Sequence, residues 1–176
     1  MRRYILYVYC QVGNLNLKIK KVTASLTLNE NSNNYGGNAE GLVKIPDAAT
    51  YTCLAADSGK IHSVPDLTAH CTISLPAEEK GLVFEFWYSG AANDGQNIII
   101  TSGSDTNYFV GGVCASDSDA TGAATVDGVY SNGSSNSKLT AATPEGGTWF
   151  KFVCDGLLWY VTGNGVSATP PVFAGS

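Results

Sequence analysis

Apolar and polar residues alternate along most of this chain, and no segment holds a 3.6-residue period for long. The best helical candidate, Ala77–Gly81, is about one turn. Strand candidates follow one another instead. Tyr4–Tyr9 is the first. Leu15, Leu17 and Ile19 then carry an odd-numbered apolar face, which switches to Val22, Ala24, Leu26 and Leu28. The change of phase at Lys20-Lys21 predicts a β-bulge or a break between two strands. Asn29–Asn38 is rich in Asn with a Gly-Gly pair and predicts a loop, the expected boundary between an arm and a body.

Beyond that loop, short strands are predicted near Leu42–Ile45, Thr50–Ala55, Lys60–Val64, Cys71–Leu75, Leu82–Tyr88, Asn97–Thr101 and Tyr108–Val113. Others are predicted near Ala124–Tyr130, Ser137–Ala141, Trp149–Cys154 and Leu158–Thr162. Regular spacing of this kind predicts an all-β sandwich or barrel-like domain of short antiparallel strands. The expected organisation is a basic N-terminal arm over 1–40 and one all-β body over 41–176 with a C-terminal tail. Two details stand out. Trp149–Cys154 and Leu157–Thr162 flank Asp155-Gly156, the dipeptide suited to a two-residue type I′ turn. Leu82–Tyr88 is nearly continuous apolar, so both of its faces are candidates for cover. Glu85, on the face shared by Val83 and Trp87, points that face towards a partner or a loop rather than the deepest core.

Composition adds a charge argument. Charged residues are 14% of the 176 residues, against about 25% in an ordinary domain. Such a surface suits a protein partly covered by neighbours. The net charge of −5 is unevenly spread. Residues 1–29 hold Arg2, Arg3, Lys18, Lys20 and Lys21 without a carboxylate, while the remainder holds five lysines and fifteen carboxylates. This split can steer the arm onto an acidic partner, or the lysines can be a solvated strand face. An acidic body repels nucleic acid, which is not an expected partner.

Five cysteines, Cys10, Cys53, Cys71, Cys114 and Cys154, give an odd count without CxxC spacing. Neither a disulfide framework nor a structural zinc site follows. Free buried thiols in a reducing cytosol are expected, with Cys71 and Cys154 as small core residues. The apolar part of Met1–Cys10 is about seven residues long and no small-x-small site follows it, so no export signal is expected. No run approaches the roughly 18 apolar residues of a membrane span, so no membrane partner is expected.

Candidate chemistry is sparse. His62 and His70 lie in adjacent strand candidates and approach each other if these form a hairpin, but a zinc site needs further ligands, such as Cys71 or Asp66. Asp117-Ser118-Asp119 offers oxygen atoms to calcium but lacks the loop glycine and distant bidentate Glu of an EF-hand, so a polar loop is expected. There is no GxSxG elbow, P-loop or dinucleotide fingerprint. Gly111-Gly112 falls inside a strand and predicts a bulge or a close backbone approach. No carboxylate pair is distinguished for glycoside hydrolysis. No catalytic activity, metal or cofactor is expected. Trp87, Trp149, Trp159 and nine tyrosines are core and interface candidates, or a carbohydrate platform.

Several stretches carry a resemblance. They are Leu54-Ala55-Ala56-Asp57-Ser58-Gly59-Lys60, Thr72–Ala77 followed by Gly81-Leu82 with Phe84 and Phe86, Tyr130–Thr140, Cys154-Asp155-Gly156 with Trp159-Tyr160-Val161, and Val166–Ala174. In this order they resemble the small head-associated decoration or cement-like proteins of tailed bacteriophages. The resemblance covers about residues 50–176. Leu157-Leu158 and Pro171 depart from its pattern. It implies a structural virion protein that binds the lattice of the major capsid protein and associates with itself, with a trimer suited to local three-fold positions. On that reading Arg2, Arg3, Lys18, Lys20 and Lys21 hold the capsid, and Val83, Trp87 and Trp159 contribute to an oligomer or partner interface. The alternative is a tail-fibre or receptor-binding β module that recognises host surface glycans through Trp and Tyr.

Overall fold

A computed structural model describes residues 41–90, 95–104, 106–119 and 125–175. The predicted arm, 1–40, lies outside the described residues. The described residues form twelve strands: β1 (Leu42–Lys44), β2 (Thr50–Thr52), β3 (Ile61–Val64), β4 (Cys71–Ser74), β5 (Val83–Tyr88) and β6 (Ile98–Thr101), then β7 (Phe109–Ser116), β8 (Val126–Asn132), β9 (Lys138–Ala141), β10 (Trp149–Cys154), β11 (Trp159–Val166) and β12 (Val172–Ala174). A 3-10 turn, Ala55–Asp57, follows β2. The fold is the expected all-β class.

The strands form a seven-stranded sheet, ordered β1-β3-β5-β10-β11-β7-β8, and a five-stranded sheet, ordered β12-β9-β6-β4-β2. From β1 to β7 the chain alternates between the two sheets, one strand at a time. Neighbours within a sheet are therefore separated by a strand of the other sheet, and they run parallel: β1 with β3, β3 with β5, β2 with β4, β4 with β6. The β7–β11 pair is parallel too. This corrects the expectation of antiparallel strands throughout, since half of the pairings are parallel. A period-2 pattern reports which face a residue occupies, not the direction of its neighbour. Parallel strands require a crossover, and here a strand in the opposite sheet takes the place of the usual helix.

Inward positions of both sheets form one core. The larger sheet contributes Phe84, Phe86, Phe109, Phe150, Phe152 and Trp159, and the smaller Ile73, Ile98, Ile100 and Leu139. Phe152 packs on Phe109 at 5.1 Å and on Phe86 at 5.9 Å between ring centroids, and Phe109 reaches Phe173 of the opposite sheet at 6.5 Å. Burying each such ring contributes about 1.5–3 kcal/mol. Cys53, Cys71 and Cys154 are buried free thiols, whereas Cys114 is exposed. Burial, with help from the Asp57 carboxylate, pushes the Cys53 thiol up to about 12.

The β10–β11 hairpin is present, but its turn differs from the prediction. Cys154 pairs with Trp159, which leaves a loop of Asp155–Leu158 rather than two residues. Asp155 Oδ1 accepts the backbone N–H groups of Leu157 and Leu158, each at 2.8 Å, so the Asp side chain closes the wider loop. These bonds hold its carboxyl below the usual range. Leu157, freed from pairing, is 78% exposed.

Strand β11 also runs past the predicted Thr162, through Gly163 and Gly165. A Cβ at Gly163 would stand 2.4 Å from the Trp149 carbonyl oxygen. The glycine that lowers strand propensity is what lets the strands meet. Gly111 bears out the close approach read from Gly111-Gly112. Its φ is +112°, and a Cβ there would lie 2.5 Å from the Val161 carbonyl oxygen. Gly111→Ala is expected to lower stability by at least ~2 kcal/mol, combining the left-handed penalty with a backbone clash. Gly146, at ordinary φ with open space around it, serves as control, and Gly146→Ala is expected to change stability by less than about 1 kcal/mol. Guanidinium unfolding midpoints of the two variants check the difference.

Candidate functional site

The outer face of the seven-stranded sheet gathers the exposed aromatic residues. Cross-strand register arranges it in rows. One row reads Ser63, Trp87, Trp149, Asn164, Cys114, Gly128 across β3, β5, β10, β11, β7 and β8. The next reads Ile61, Glu85, Lys151, Thr162, with Gly112 and Tyr130 beyond. A third reads Val83, Val153, Tyr160, Val110.

Strict alternation produces this face. Trp149, Lys151 and Val153 point outward because Phe150, Phe152 and Cys154 are buried, and Val83, Glu85 and Trp87 do so opposite Phe84, Phe86 and Tyr88. Trp87 and Trp149 stack at 6.0 Å with 20° between their planes. Trp87 Nε1 donates to Glu85 Oε1 at 2.6 Å, fixing the indole, which stays 42% exposed. Lys151 Nζ lies 3.9 Å from Glu85 Oε2, a surface pair worth little to stability but able to orient both groups. Tyr130, at the β8 edge, lays its ring over Gly112 and Gly128, where added Cβ atoms would stand 2.6 Å from its Cδ1 and 2.5 Å from its hydroxyl. Tyr160 is exposed beside them, and the Asp155 carboxylate raises its phenol above the usual range.

The sequence-derived site residues divide accordingly. Val83 and Trp87 share this outer face, next to Glu85, as expected. Trp159 does not. It is 0% exposed, packs on Phe84 at 5.9 Å and donates its Nε1–H to Glu78 Oε1 at 3.1 Å, while Asn107 Nδ2 donates to the other Glu78 oxygen. It is therefore a core residue, not an interface residue. It pairs with the buried Cys154, and the alternation of β11 turns it inward. Arg2, Arg3, Lys18, Lys20 and Lys21 lie outside the described residues. Trp149, Lys151 and Tyr160 were not singled out for this face. The outward phase of β10 and β11, read against their buried partners, is the signal that locates them.

The histidines are not together. His62 is in β3 of the larger sheet, whereas His70 precedes β4 of the smaller and accepts the Asn97 N–H at 2.9 Å. A β3–β4 hairpin does not form, because these strands belong to different sheets. Among the described residues, no group of three or more His, Cys, Asp or Glu is placed to hold a metal ion. Asp117 Oδ1 accepts the Asp119 N–H at 2.9 Å, the hydrogen bond of a polar turn, and Asp117 lines a cavity of about 60 Å³ with Asp127, Thr125 and Ser167. No helix among the described residues is long and apolar enough to cross a membrane.

No protein-family model matches this chain, and neither does any curated protein.

The two tryptophans give opposite expectations. Trp159→Ala is expected to cost about 3–5 kcal/mol, as for large core aromatics. Trp87→Ala is expected to cost no more than ~1.5 kcal/mol, the worth of one aromatic pair. Equilibrium denaturation of both variants under one condition tests the assignment.

Proposed function

We propose that this chain is a non-enzymatic structural protein of a tailed-phage virion, a decoration or cement protein that binds the major capsid protein lattice and stabilises the head. The observation that carries the docking part of this reading is the outer face of the seven-stranded sheet. Trp87 stands exposed in one outer row and Val153 and Tyr160 in the row beyond the Glu85–Lys151 pair, on a hydrogen-bonded sheet backed by the aromatic core. Exposed aromatic and apolar side chains grouped on one rigid face around a polar pair have the mixed character of a protein interface, whereas single exposed apolar residues carry no such meaning. The head-protein resemblance of residues 50–176 supplies the identity of the partner. Trimeric self-association and capsid attachment through Arg2, Arg3, Lys18, Lys20 and Lys21 belong to the same proposal.

A second reading keeps the same face and changes the ligand. The Trp87 indole, held by Glu85 beside the Trp149 ring, with Lys151, Thr162 and Asn164 close by in register, suits a host surface glycan stacked on aromatic rings.

Co-sedimentation with expanded capsid shells separates the two. On the capsid reading the full chain saturates the shells at many copies per particle. The double variant Trp87→Ala, Tyr160→Ala weakens binding at least about tenfold, the effect of losing one interface anchor. Deleting residues 1–29 weakens it further. Unchanged binding by the double variant would remove the outer face from the proposal, and unchanged binding by the truncated chain would remove the arm. Saturable glycan binding that is lost in Trp87→Ala, with no attachment to shells, would favour the second reading.

A further inference from the structure

His62 occupies an unusual position. Its side chain is fully buried in the core, and neither ring nitrogen has a hydrogen-bond partner. Aromatic rings surround it: Phe86 at 5.2 Å, Phe84 at 5.5 Å and Tyr51 at 6.4 Å between centroids. A neutral imidazole can be held there, at the cost of an unsatisfied N–H. An imidazolium cannot be held there cheaply, since two donors and a charge would lack an acceptor. Backbone groups of Lys60 and Glu85 lie near enough to favour the cation slightly but do not reach hydrogen-bonding geometry.

Two charged side chains act on the ring. Asp57 of the 3-10 turn favours the protonated ring, and Lys60 opposes it. These two pair with each other at 2.7 Å. Tyr51 and Cys53, on and after β2, are both pushed up and stay neutral in the ordinary pH range. Glu85 of β5 points to the opposite face, where Trp87 and Lys151 engage it. On β1 the register partner is Val43, which does not titrate. Among the described residues, Asp57 is therefore the carboxylate that acts on a protonated His62.

We propose that His62 is a proton-operated latch for the β1–β3 edge of the sandwich. Binding one proton from solvent drives the imidazolium out of its ring cage towards Asp57. That move displaces Lys60 and loosens the Leu54–Lys60 turn together with β1 and β3, while β5, β10 and β11 remain packed. The latch is independent of the docking reading and holds whatever the outer face binds.

Burial keeps the proton affinity of the folded ring low, with Lys60 adding to the effect. The open form, with an ordinary imidazole of pKa ~6.5, binds the proton more tightly than the closed form. Above that value the latch is fully closed. As pH falls through it, opening gains up to about tenfold per pH unit until the folded ring itself titrates.

The test uses the full chain carrying His70→Gln, which leaves His62 as its sole histidine. Its ring resonances are followed by NMR from pH 8 to pH 4.5, in parallel with amide hydrogen exchange corrected for intrinsic rates. The proposal expects the ring to resist protonation until well below pH 6.5. It also expects exchange at Ile61–Val64 and Asp57–Lys60 to rise on acidification while Phe150–Cys154 stays protected. Titration of His62 at 6.5 or above, or a uniform rise in exchange, would overturn it. His62→Phe and His62→Leu are expected to abolish the local acid response. Its survival in a folded variant would also overturn the proposal, and should both variants fail to fold, the His70→Gln measurements decide alone.

Discussion

Inward-facing aromatic side chains on the larger sheet are the constraint on which this molecule depends. Phe84 and Phe86 on β5, Phe150 and Phe152 on β10, Trp159 on β11 and Phe109 on β7 are all buried. They occupy every second position, so the pleat commits the alternate residues to the opposite face. A register slip of one residue on β10 would put Trp149, Lys151 and Val153 inside and expose Phe150 and Phe152. The core thus fixes the composition of the outer surface as firmly as that of the interior. The free face is the complement of the packed one.

That coupling explains which parts of the structure the sequence made legible. Every predicted body strand overlaps an observed one, because half-buried strands leave a period-2 trace. The all-β class and the outward direction of Val83 and Trp87 were readable for the same reason. The pattern failed where the deciding facts were non-local. The direction of β3 against β5 depends on β4 crossing in the other sheet, which alternation does not encode. The extent of β11 was hidden by Gly163 and Gly165, whose purpose appears only when the Trp149 carbonyl and Pro171 are seen against them. The short β12 gave too few residues to show a period. Trp159 was misplaced although its face was legible: a two-residue turn would pair it with Phe152 and the observed loop pairs it with Cys154, and both partners are buried.

Two buried polar side chains of the larger sheet are held differently. Around Trp159, every polar group named has a partner: the indole N–H and the Asn107 amide both reach the Glu78 carboxylate. Around His62 the ring nitrogens have none. Buried polar networks that are satisfied rigidify a core, whereas unsatisfied groups store a local weakness. Both residues sit against Phe84, so the satisfied and unsatisfied sites share one aromatic neighbour. Loss of β1 and β3 would remove the outermost strands of one flank and leave the satisfied half of the sheet intact.

Size decides how the outer face can work. Strands lie about 4.8 Å apart and outward residues repeat about every 6.8 Å along a strand. The stretch of the face from Val83, Val153 and Tyr160 to the Trp87–Trp149 pair, with Glu85 and Lys151 between them, therefore covers on the order of 200–300 Å². A standard protein interface needs about 800 Å² from each partner. This patch is the right size for the anchor of a contact, not for the whole of one. Two arrangements make such an anchor sufficient: a polar rim that completes the interface, or repetition across a lattice. In the second, each engaged copy or segment raises the effective concentration of the next, and modest individual contacts become long-lived. A rigid sheet suits that arrangement, because a face already ordered by its own core gives up little further entropy when it docks.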